Sequence, residues 1–428
     1  MSARRRSLGL ASNHRTSILG LDIVTATPPK PRVVFLCQRV PWPPDRGDRI
    51  TTWHYLQHLL ASGAEVRVGC FREEDRDDEA VEFLRQRCTE VIAPRMSRSL
   101  RKLTSLSGLI TGEPLTTPFF RDRELHAAAD RWFATPPTLT FVYSSSMAQY
   151  ALGRQSDARV MHFAELDSDK WRQYAAVAGP VGRWIYSREA RKLLAFEDRV
   201  AREFDRSLVV SAVEQELFEK QIAGVRPDVL PNGVDVEHFV TQGNERRHPR
   251  TAVFTGVMDY EPNVDGVCWF VEECWPTLRT RYADAELLIV GSKPTPRVLA
   301  LDGRDGVTVT GRVEATPPYF DRAAVAIAPL RLARGVQNKV LEAMSMSLPV
   351  VASPQASRGL GDVPTSSLCI AEGADATISG VDQWFSDPVR ARADGDAAGA
   401  WVRQTWRWER MYERLDEILS QVGVQLSR

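Results

Sequence analysis

Lys339 and Glu342 lie three residues apart in a segment, residues 328–352, that reads as strand, loop, helix and strand. Gly335 falls in the loop just before the predicted helix of residues 337–346. Free N–H groups and a partial positive charge at a helix N-terminus suit a diphosphate, and a lysine there opposes the helix dipole unless an anion binds. A carboxylate one turn later can accept hydrogen bonds from both hydroxyls of a ribose. The spacing therefore indicates a nucleotide-diphosphate site, with an exposed Lys–Glu pair on an ordinary helix as the alternative.

The elements that must position these residues form two successive α/β runs. The first begins with a β-branched strand at 32–37, a helix with an apolar face at 50–60 and a strand at 64–70. The second opens near residue 229, and its strands are predicted at residues 252–256, 285–290, 307–310, 325–329 and 349–352. Repeated β-α-β units build doubly wound parallel sheets, which bind ligands beyond the carboxyl ends of their strands. We expect an α/β protein with two Rossmann-like domains facing a cleft.

The bulk composition excludes several classes of protein. The 428 residues are too many for one core, and 55 basic residues balance 55 acidic ones, so no net charge attracts nucleic acid. None of the six cysteines forms a CxxC pair or a Cys/His cluster with zinc spacing, so we expect no metal site. No apolar run approaches the roughly 18 residues that span a bilayer. Residues 1–31 are basic and rich in Ser and Thr, and we expect a disordered extension there.

The segment around Glu342 resembles the donor-site signature of family 4 retaining glycosyltransferases, roughly E-G-F-G-x-x-x-x-E-A-M-A-x-G-x-P-V-V. The residues that match it in register are Gly335, Glu342, Ala343, Met344, Pro349, Val350 and Val351. Further matches are the Leu-Pro-Asn-Gly-Val-Asp run ending at Asp235, Phe-Thr-Gly256, Ile-Val-Gly291 and Val-Thr-Gly311. More narrowly, residues 167–171, 258–263 and 335–339 resemble bacterial sugar transferases encoded with exosortase (PEP-CTERM) and exopolysaccharide systems. The resemblance covers residues 32 to 425 or so.

The resemblance implies the GT-B fold and a division of the chain into domains. Residues 32–228 would form a Rossmann-like acceptor domain, and residues 229–399 a Rossmann-like nucleotide-sugar domain. Residues 400–428 would form a C-terminal helix that packs back on the first domain. The spacing of Trp401, Thr405, Trp408 and Met411 predicts one helix over residues 400–421.

The resemblance also implies a role for each matching residue of the second domain. Glu342 would hold the donor ribose, and Gly256 would let the backbone pass close to the phosphates. The groups that would cradle the diphosphate are the backbone of Gly335 and Val336 and the side chain of Lys339. Lys339 is therefore also a predicted catalytic residue, because it would neutralise the leaving group.

Two positions near these motifs bear on the donor's identity. Arg312 and Val313, just after Gly311, would lie against the nucleobase. The family's E-x7-E pair places its first glutamate at position 334, where this chain has Arg334. That glutamate is usually assigned to the transferred sugar, so the arginine leaves the sugar open. Its planar guanidinium suits a phosphate or an acidic sugar, so Arg334 is also a predicted catalytic residue that would help to neutralise the leaving group. The alternative is a side chain that points to solvent.

Three candidates come from the first domain. Gly47 ends a turn-rich loop where related enzymes carry a glycine-rich loop near the diphosphate and acceptor, and a plain left-handed turn is the alternative. His162 ends a predicted strand. In the wider family a histidine at a comparable strand end touches the transferred sugar, which makes His162 a predicted catalytic residue, whereas the narrower group often carries an acidic residue there. A lone histidine is otherwise usually structural. Asp167 to Trp171 is predicted to shape the acceptor side, with a helix N-cap as the alternative.

Residues 95–109 alternate apolar and basic side chains, namely Met96, Leu100, Leu103 and Leu106 with Arg98, Arg101 and Lys102. Such a segment could lie on an anionic membrane beside a lipid-linked acceptor, and a helix packed on its own domain is the alternative. We expect a cytoplasmic protein, and peripheral contact with the inner face of the plasma membrane stays open.

The sequence as a whole predicts an enzyme that moves a sugar from a nucleoside-diphosphate sugar to a glycan or polyprenyl-linked acceptor in exopolysaccharide assembly. Retention follows from the resemblance, and the absence of a D-x-D motif near the predicted donor site predicts a reaction without a metal or other cofactor. The first strand lacks the G-x-G-x-x-G of a nicotinamide oxidoreductase. A nucleotide-sugar epimerase and a non-catalytic scaffold of the same fold remain as alternatives.

Overall fold

Short runs of apolar and β-branched residues form the strands of two parallel sheets in the computed structural model, which describes residues 30–242, 247–333 and 335–426. In the first sheet, β1 (Arg32–Arg39) is buried from Val33 to Cys37, and β4 (Leu139–Tyr143) is buried throughout. Burial on both faces is typical of a parallel sheet that helices cover on either side. The described residues from Pro31 onward form one compact unit.

Among the described residues, the first domain contains seven parallel strands. The others are β2 (Glu65–Phe71), β3 (Glu90–Ile92), β5 (Ala158–Ala164), β6 (Arg206–Val209) and β7 (Asp228–Val229). Their order in the sheet is β3-β2-β1-β4-β5-β6-β7. The helices are α1 (Gly47–Ala61), α2 (Asp77–Arg85), α3 (Arg98–Ser105), α4 (Ser107–Thr111), α5 (Thr116–Phe119), α6 (Arg123–Trp132), α7 (Asp167–Val177), α8 (Pro180–Glu203) and α9 (Ala212–Gln221). A short 3-10 helix, Ser145–Tyr150, follows β4.

The second domain repeats the arrangement, with six parallel strands in the part that the structure describes. They are β8 (Thr251–Thr255), β9 (Glu286–Val290), β10 (Val307–Gly311), β11 (Val325–Ala328), β12 (Val350–Ala352) and β13 (Leu368–Ile370), in the order β10-β9-β8-β11-β12-β13. The helices are α10 (Glu261–Trp269), α11 (Trp275–Arg281), α12 (Pro296–Leu299), α13 (Pro317–Arg322), α14 (Asn338–Ser345), α15 (Pro354–Ser357), α16 (Gly373–Phe385), α17 (Pro388–Thr405) and α18 (Trp408–Ser420). A π turn, Phe270–Cys274, joins α10 to α11.

The strand order of both sheets fixes where a ligand can bind. In each sheet the chain starts in the middle, moves to one edge and then returns to build the other half, which leaves a switch point between β1 and β4 and between β8 and β11. Loops diverge at a switch point and leave a crevice beyond the carboxyl ends of the strands. The loop after β11, which contains Gly335, lies at this edge of the second sheet.

The C-terminus returns to the first domain as α18. Trp408, Met411 and Leu415 of α18 are buried in one core cluster with residues of β1 and α1. The prediction of one helix over residues 400–421 is wrong, because α17 ends at Thr405 and α18 begins at Trp408. The carbonyl of Trp406, in the break, accepts a hydrogen bond of 2.6 Å from the backbone N–H of Val234. The break lets the returning chain pair with the segment that leaves the first domain.

The predicted fold class is confirmed: two Rossmann-like sheets of parallel strands, with a C-terminal helix that crosses back to the first domain. The exact domain boundaries stay a prediction. The predicted extension, residues 1–31, lies outside the described residues except for Lys30 and Pro31. In the described part of the chain, every helix is too short or too polar to cross a bilayer.

Candidate functional site

Helix α14 turns one face to the core and the other to the crevice. Val340, Leu341 and Met344 are buried in the core of the second domain. Lys339 and Glu342 point the other way and are only partly buried. Their spacing of three residues puts the two side chains on neighbouring positions of one helical face. The helical spacing therefore places the pair at the edge of the sheet where a ligand would bind.

Lys339 is held between a side chain and an aromatic ring. Its Nζ donates a hydrogen bond to Oδ1 of Asn263 and lies 4.6 Å from the centre of the Phe254 ring. Desolvation lowers the pKa of Lys339 to about 7, although the nearby Glu342 raises it. An ammonium group this poorly solvated gains from a bound anion, because the anion restores the stabilisation that water no longer gives.

Glu342 shows the opposite shift for the same reason. Desolvation raises the pKa of Glu342 to about 7, and the charge of Lys339 counteracts part of this effect. The two groups therefore support each other's charged forms. A carboxylate in such a place is a strong acceptor for hydroxyl groups, since little water competes for its oxygens.

Two glycines bring the backbone of the second sheet close to this pair. A Cβ on Gly256 would lie 3.1 Å from Nζ of Lys339 and 2.6 Å from Nδ2 of Asn263. A Cβ on Gly291 would lie 1.6 Å from the carbonyl oxygen of Gly256, so no side chain fits there. The structure thus brings Gly256 and Lys339 together, as the predicted phosphate site requires.

Asn263 completes this cluster and is a residue that the sequence did not single out as a site residue. It is buried in the first turns of α10, and its Nδ2 donates to the carbonyl of Val257 at 2.9 Å. Its Oδ1 is then aimed at Lys339. The only signal in the sequence is its place in the Met258 to Asn263 motif, which does not reveal a contact with a residue 76 positions later.

Gly335 meets the first domain across the crevice. Its φ of +61° is left-handed, which favours glycine, and a Cβ there would lie 3.1 Å from Oε1 of Glu165 and 3.6 Å from Cγ2 of Val210. Val336 lies beside Gly359, whose own Cβ would come within 3.3 Å of the Cβ of Ser211. The loop before α14 is therefore in contact with the loops that follow β5 and β6.

The side chain that faces the crevice near the end of β5 is that of Glu165, in the loop after the strand. His162, within the strand, does not face the crevice. The His162 side chain is fully buried, its Nδ1 accepts from the N–H of Ala164 at 3.1 Å, and its Nε2 lies 3.2 Å from the carbonyl of Leu230. Because Nδ1 is an acceptor, Nε2 carries the proton and donates to that carbonyl. Burial lowers the pKa of His162 to about 4, so the ring is neutral.

The assignment of His162 to catalysis therefore does not fit this geometry. A core histidine with both nitrogens engaged cannot reach a substrate without unfolding its surroundings. The predicted strand end at residue 163 lies one residue before the observed end at Ala164, and the first polar residue after the strand is Glu165. The position of Glu165 directly after the strand was the signal in the sequence that could have identified it as a site residue.

Gly47, Arg312 and Val313 lie at the carboxyl edges of their sheets. Gly47 is the first residue of α1 and is exposed; a Cβ there would have no heavy atom within 4 Å, and its φ is not left-handed, so the alternative of a left-handed turn is wrong. Arg312 is exposed just after β10, and Val313 packs partly on the second core. β9 separates β10 from β8, which puts both residues one strand beyond Gly291. Arg334 lies outside the described residues.

Asp167 to Trp171 begins α7, immediately after Glu165. Glu197 of α8 is fully buried and its Oε1 accepts from the N–H of Ser168 at 3.4 Å. Burial raises the pKa of Glu197 to about 8, with a further contribution from the charge of Asp167, and burial also raises the pKa of Asp167. The start of α7 is thus capped by a side chain from the next helix and not by its own N-cap residue, Leu166.

Comparison with known proteins adds a family match and several structural neighbours. Residues 249–387 match the family model "Glycosyl transferases group 1". The chain is 31% identical over 211 residues to the GDP-mannose-dependent monoacylated alpha-(1-6)-phosphatidylinositol monomannoside mannosyltransferase of Corynebacterium glutamicum; the match covers 44% of this chain and 55% of the relative. The chain thus matches only about half the length of that relative.

Two solved structures share the fold over nearly their full length. Sucrose-phosphate synthase from Thermosynechococcus elongatus has a TM-score of 0.66 at 15% identity, covering 92% of this chain and 99% of that one. Alr3699/HepE of Anabaena, in complex with UDP, has a TM-score of 0.61 at 14% identity, covering 91% and 100%. At such low identity these likenesses establish the GT-B fold.

Proposed function

We propose that this chain, which carries a glycosyl transferases group 1 domain in a GT-B fold, transfers a sugar from a nucleoside-diphosphate sugar to an acceptor. The observation that carries the proposal is the cluster of Lys339, Glu342 and the Gly256 backbone at the crevice edge of the second sheet. A GDP-mannose-dependent relative and a structural neighbour in complex with UDP support a nucleotide-sugar donor.

In this proposal each residue of the second domain has one role. Glu342 accepts hydrogen bonds from the ribose hydroxyls, and Arg312 and Val313 lie against the base. The groups that hold the diphosphate are the N–H groups of Gly335 and Val336, the side chain of Lys339 and the close backbone of Gly256. The desolvated Lys339 is suited to this role, because the phosphates supply the negative charge that its surroundings lack.

The first domain would hold the acceptor and the transferred sugar. Gly47 leaves open space at the start of α1, and Glu165 faces Gly335 across the crevice. We therefore assign to Glu165 the contact with sugar hydroxyls that the resemblance would give to His162. Arg334 keeps its proposed role beside the donor phosphates or the sugar, where its planar guanidinium would grip an anionic group.

The proposed chemistry needs little from the protein beyond charge and position. The acceptor hydroxyl attacks the anomeric carbon on the face from which the nucleoside diphosphate departs, and a donor phosphate oxygen takes the hydroxyl proton, so the configuration is retained. Lys339 and the N–H groups at the start of α14 stabilise the charge on the departing diphosphate without a metal ion. Retention rests on the resemblance to family 4 enzymes, and independence of a metal rests on the absence of a D-x-D motif near the predicted donor site.

We also propose a glycan or polyprenyl-linked acceptor, in exopolysaccharide assembly at the inner face of the plasma membrane. This part rests on the motifs of residues 167–171 and 258–263, which resemble the exosortase-associated sugar transferases. The relative named for a phosphatidylinositol mannoside is in line with an acceptor that carries a lipid.

Calorimetry and donor hydrolysis test the proposal together. We expect one of UDP, GDP and ADP to bind the purified chain, and its sugar conjugates to be hydrolysed slowly without acceptor. Glu342→Ala should weaken nucleotide binding about tenfold or more, because a charged hydrogen-bond acceptor for two hydroxyls is lost. Glu372→Ala, on an exposed loop of the same domain, is the matched control.

Three outcomes would contradict this function. Binding of none of the nucleotides favours a non-catalytic scaffold. Release of free nucleoside diphosphate with an epimerised sugar, and no transfer to any acceptor, favours an epimerase. Unchanged donor affinity in Glu342→Ala would show that the ribose assignment is wrong even if the chain is a transferase.

A further inference from the structure

The first domain exposes large apolar side chains along two neighbouring pairs of helices. In α3 and α4 they are Leu100, Leu103, Leu106, Leu109 and Ile110, and along α7 and the start of α8 they are Tyr174, Val177, Val181 and Trp184. Ile110 is 91% exposed, Val177 87% and Trp184 61%. Soluble monomers rarely leave such side chains exposed in a group unless the surface binds something.

The two helix pairs form one surface because α8 packs beside α4. Arg188 of α8 donates from Nη2 to the carbonyl of Gly108 at 2.6 Å and to that of Glu113 at 3.2 Å. Val181, Trp184 and Arg188 are spaced three and four residues apart, so they share one side of α8. The exposed residues of α8 therefore lie on the side that meets α4. We call the outward surface of residues 98–111 and 174–192 the basic–apolar face.

This face is positively charged in a chain whose net charge is zero. Residues 98–111 contain three basic residues and no acidic one, and residues 174–192 contain four basic residues and one acidic one. The acidic residue, Glu189, is buried and accepts from the N–H groups of Leu115 and Thr116, so it does not face outward. The face thus presents basic side chains around apolar ones.

Several of these basic groups are available for an external anion. Lys102, Arg183, Arg191 and Lys192 are exposed and make no ion pair with a described residue, whereas Arg98 and Arg101 pair with Glu73 and Asp122. Arg183 and Arg191 also line a groove of about 720 Å³ between α7 and α8. A planar guanidinium can donate two parallel hydrogen bonds to two oxygens of one phosphate group.

We propose that the basic–apolar face docks on a bilayer that contains anionic phospholipids. Apolar side chains would enter the boundary between headgroups and acyl chains, where tryptophan is favoured, and the lysines and arginines would reach the lipid phosphates. A protein partner would be expected to offer acidic side chains and a shaped apolar surface, whereas flexible basic side chains around scattered apolar tips suit a fluid anionic surface better.

The position of the face also suits the proposed reaction, on which this step rests. Helix α7 begins next to Glu165, at the crevice, and ends at the exposed Val177. Its eleven residues span about 16 Å at 1.5 Å per residue. In a docked protein the crevice would therefore lie within about that distance of the headgroups, within reach of the sugars of a lipid-linked acceptor.

Vesicle sedimentation tests the docking with the full chain. We expect binding to vesicles of phosphatidylcholine with phosphatidylglycerol, little binding to phosphatidylcholine alone, and a loss of binding as salt is raised. The triple variant Leu103→Glu, Ile110→Glu, Trp184→Glu should lower partitioning about tenfold or more, because each change removes apolar contact and adds a repelled charge. The matched control is Ile370→Glu, Val389→Glu, two positions of the second domain that are 58% and 81% exposed.

The outcomes separate this docking from its rivals and from the transfer reaction. Absence of wild-type binding to the anionic vesicles at low salt, or equal binding by the triple variant, would overturn the proposal. A wild-type dimer that the triple variant dissociates, seen by ultracentrifugation, would give the face to a second copy of the chain. Nucleotide calorimetry on the same proteins tells the two proposals apart, since the donor site is in the other domain.

Discussion

At the scale of single residues, the candidate site depends on how poorly water solvates a few charged groups. Lys339 and Glu342 lie at a crevice edge and each shifts the other's pKa back toward its usual value. His162, by contrast, is buried, and both of its ring nitrogens form hydrogen bonds within the protein. These bonds hold β5 and the segment at Leu230 together. The Lys339–Glu342 pair and His162 therefore have different roles, because the pair faces the crevice and the histidine is buried in the core.

Donor binding should take up protons above neutral pH. The lowered pKa of Lys339, about 7, leaves the amine mostly neutral in alkaline buffer, and a bound diphosphate favours the protonated form. Affinity should therefore fall as the pH rises above 7, by up to about tenfold per pH unit. Calorimetry near pH 8.5 in two buffers of different protonation enthalpy measures the uptake. Lys339→Met should abolish it, and equal uptake in that variant would contradict the assignment.

His162→Gln should leave the reaction intact and change acid stability. The lowered pKa of His162, about 4 against an unfolded value of 6.5, means that the unfolded chain binds more protons in this window. Wild-type stability should fall as the pH drops from 6.5 to 4, by up to about 3 kcal/mol from this group, and the variant should lose that component. Urea unfolding at several pH values measures it.

The matched comparison is Glu165→Gln, which should lower the transfer rate about tenfold or more while leaving this pH dependence unchanged. A folded His162→Gln protein with wild-type donor affinity but a collapsed turnover rate would restore His162 to the site.

At the scale of elements, the starts of α7 and α18 depend on contacts with other elements. Helix α7 follows the crevice residue Glu165, and its start is held by Glu197 of α8, whose second oxygen has no hydrogen-bond partner among the described residues. α18 likewise begins after a break in which Trp406 accepts from Val234. Sequence periodicity locates these helices, but the groups that hold the start of α7 and pair with the break before α18 come from other parts of the chain.

Replacing Glu197 by glutamine should stabilise the protein in alkaline buffer. The pKa of Glu197 is raised to about 8 from an unfolded value of 4.5, so the folded state keeps its proton longer and stability falls as the pH rises through this window. The amide oxygen of Glu197→Gln still accepts from Ser168 and does not ionise. Urea unfolding at pH values near 6 and 8.5 should show a loss of some kcal/mol in wild type and little in the variant. Equal losses in both would contradict this account.

At the scale of the whole molecule, the two domains are joined by two chain segments that run side by side. Val234 pairs with Arg407, and a Cβ on Gly233 would lie 2.8 Å from the Cα of Trp408. Trp408 itself is buried and stacks on His54 at 3.8 Å, inside the core of the first domain. The C-terminus is thus part of the first domain's core, although the chain has passed through the second domain before it.

Trp408→Ala should weaken the first domain and leave the nucleotide site in place. Loss of a buried tryptophan costs about 3–5 kcal/mol of unfolding free energy, and Trp408→Phe should cost less. Nucleotide affinity should stay near that of wild type, because Lys339 and Glu342 lie in the other domain, while transfer should slow as the contact between Gly335 and Glu165 loosens. Calorimetry and turnover measured on one preparation check this, and a parallel loss of both would contradict it.

Local patterns in the sequence were sufficient to predict the order and kind of the main elements. Strand segments such as residues 252–256 and 325–329 were identifiable because burial on both faces demands short apolar runs, and the Lys339–Glu342 spacing indicated one helical face. The glycines after β8 and β9 could also be recognised as sites of close backbone contact, since a residue with a Cβ would not fit there.

Which groups meet depended on how the elements pack in three dimensions. Packing put Asn263 against Lys339, turned Glu165 and not His162 toward Gly335, and split the C-terminal helix where Trp406 meets Val234. It also joined α4 to α8 into one basic–apolar face. The sequence pattern of residues 95–109 had indicated only the part of this face that α3 and α4 form. Local patterns reflect the faces of single elements, whereas contacts between residues far apart in the chain arise only when those elements come together.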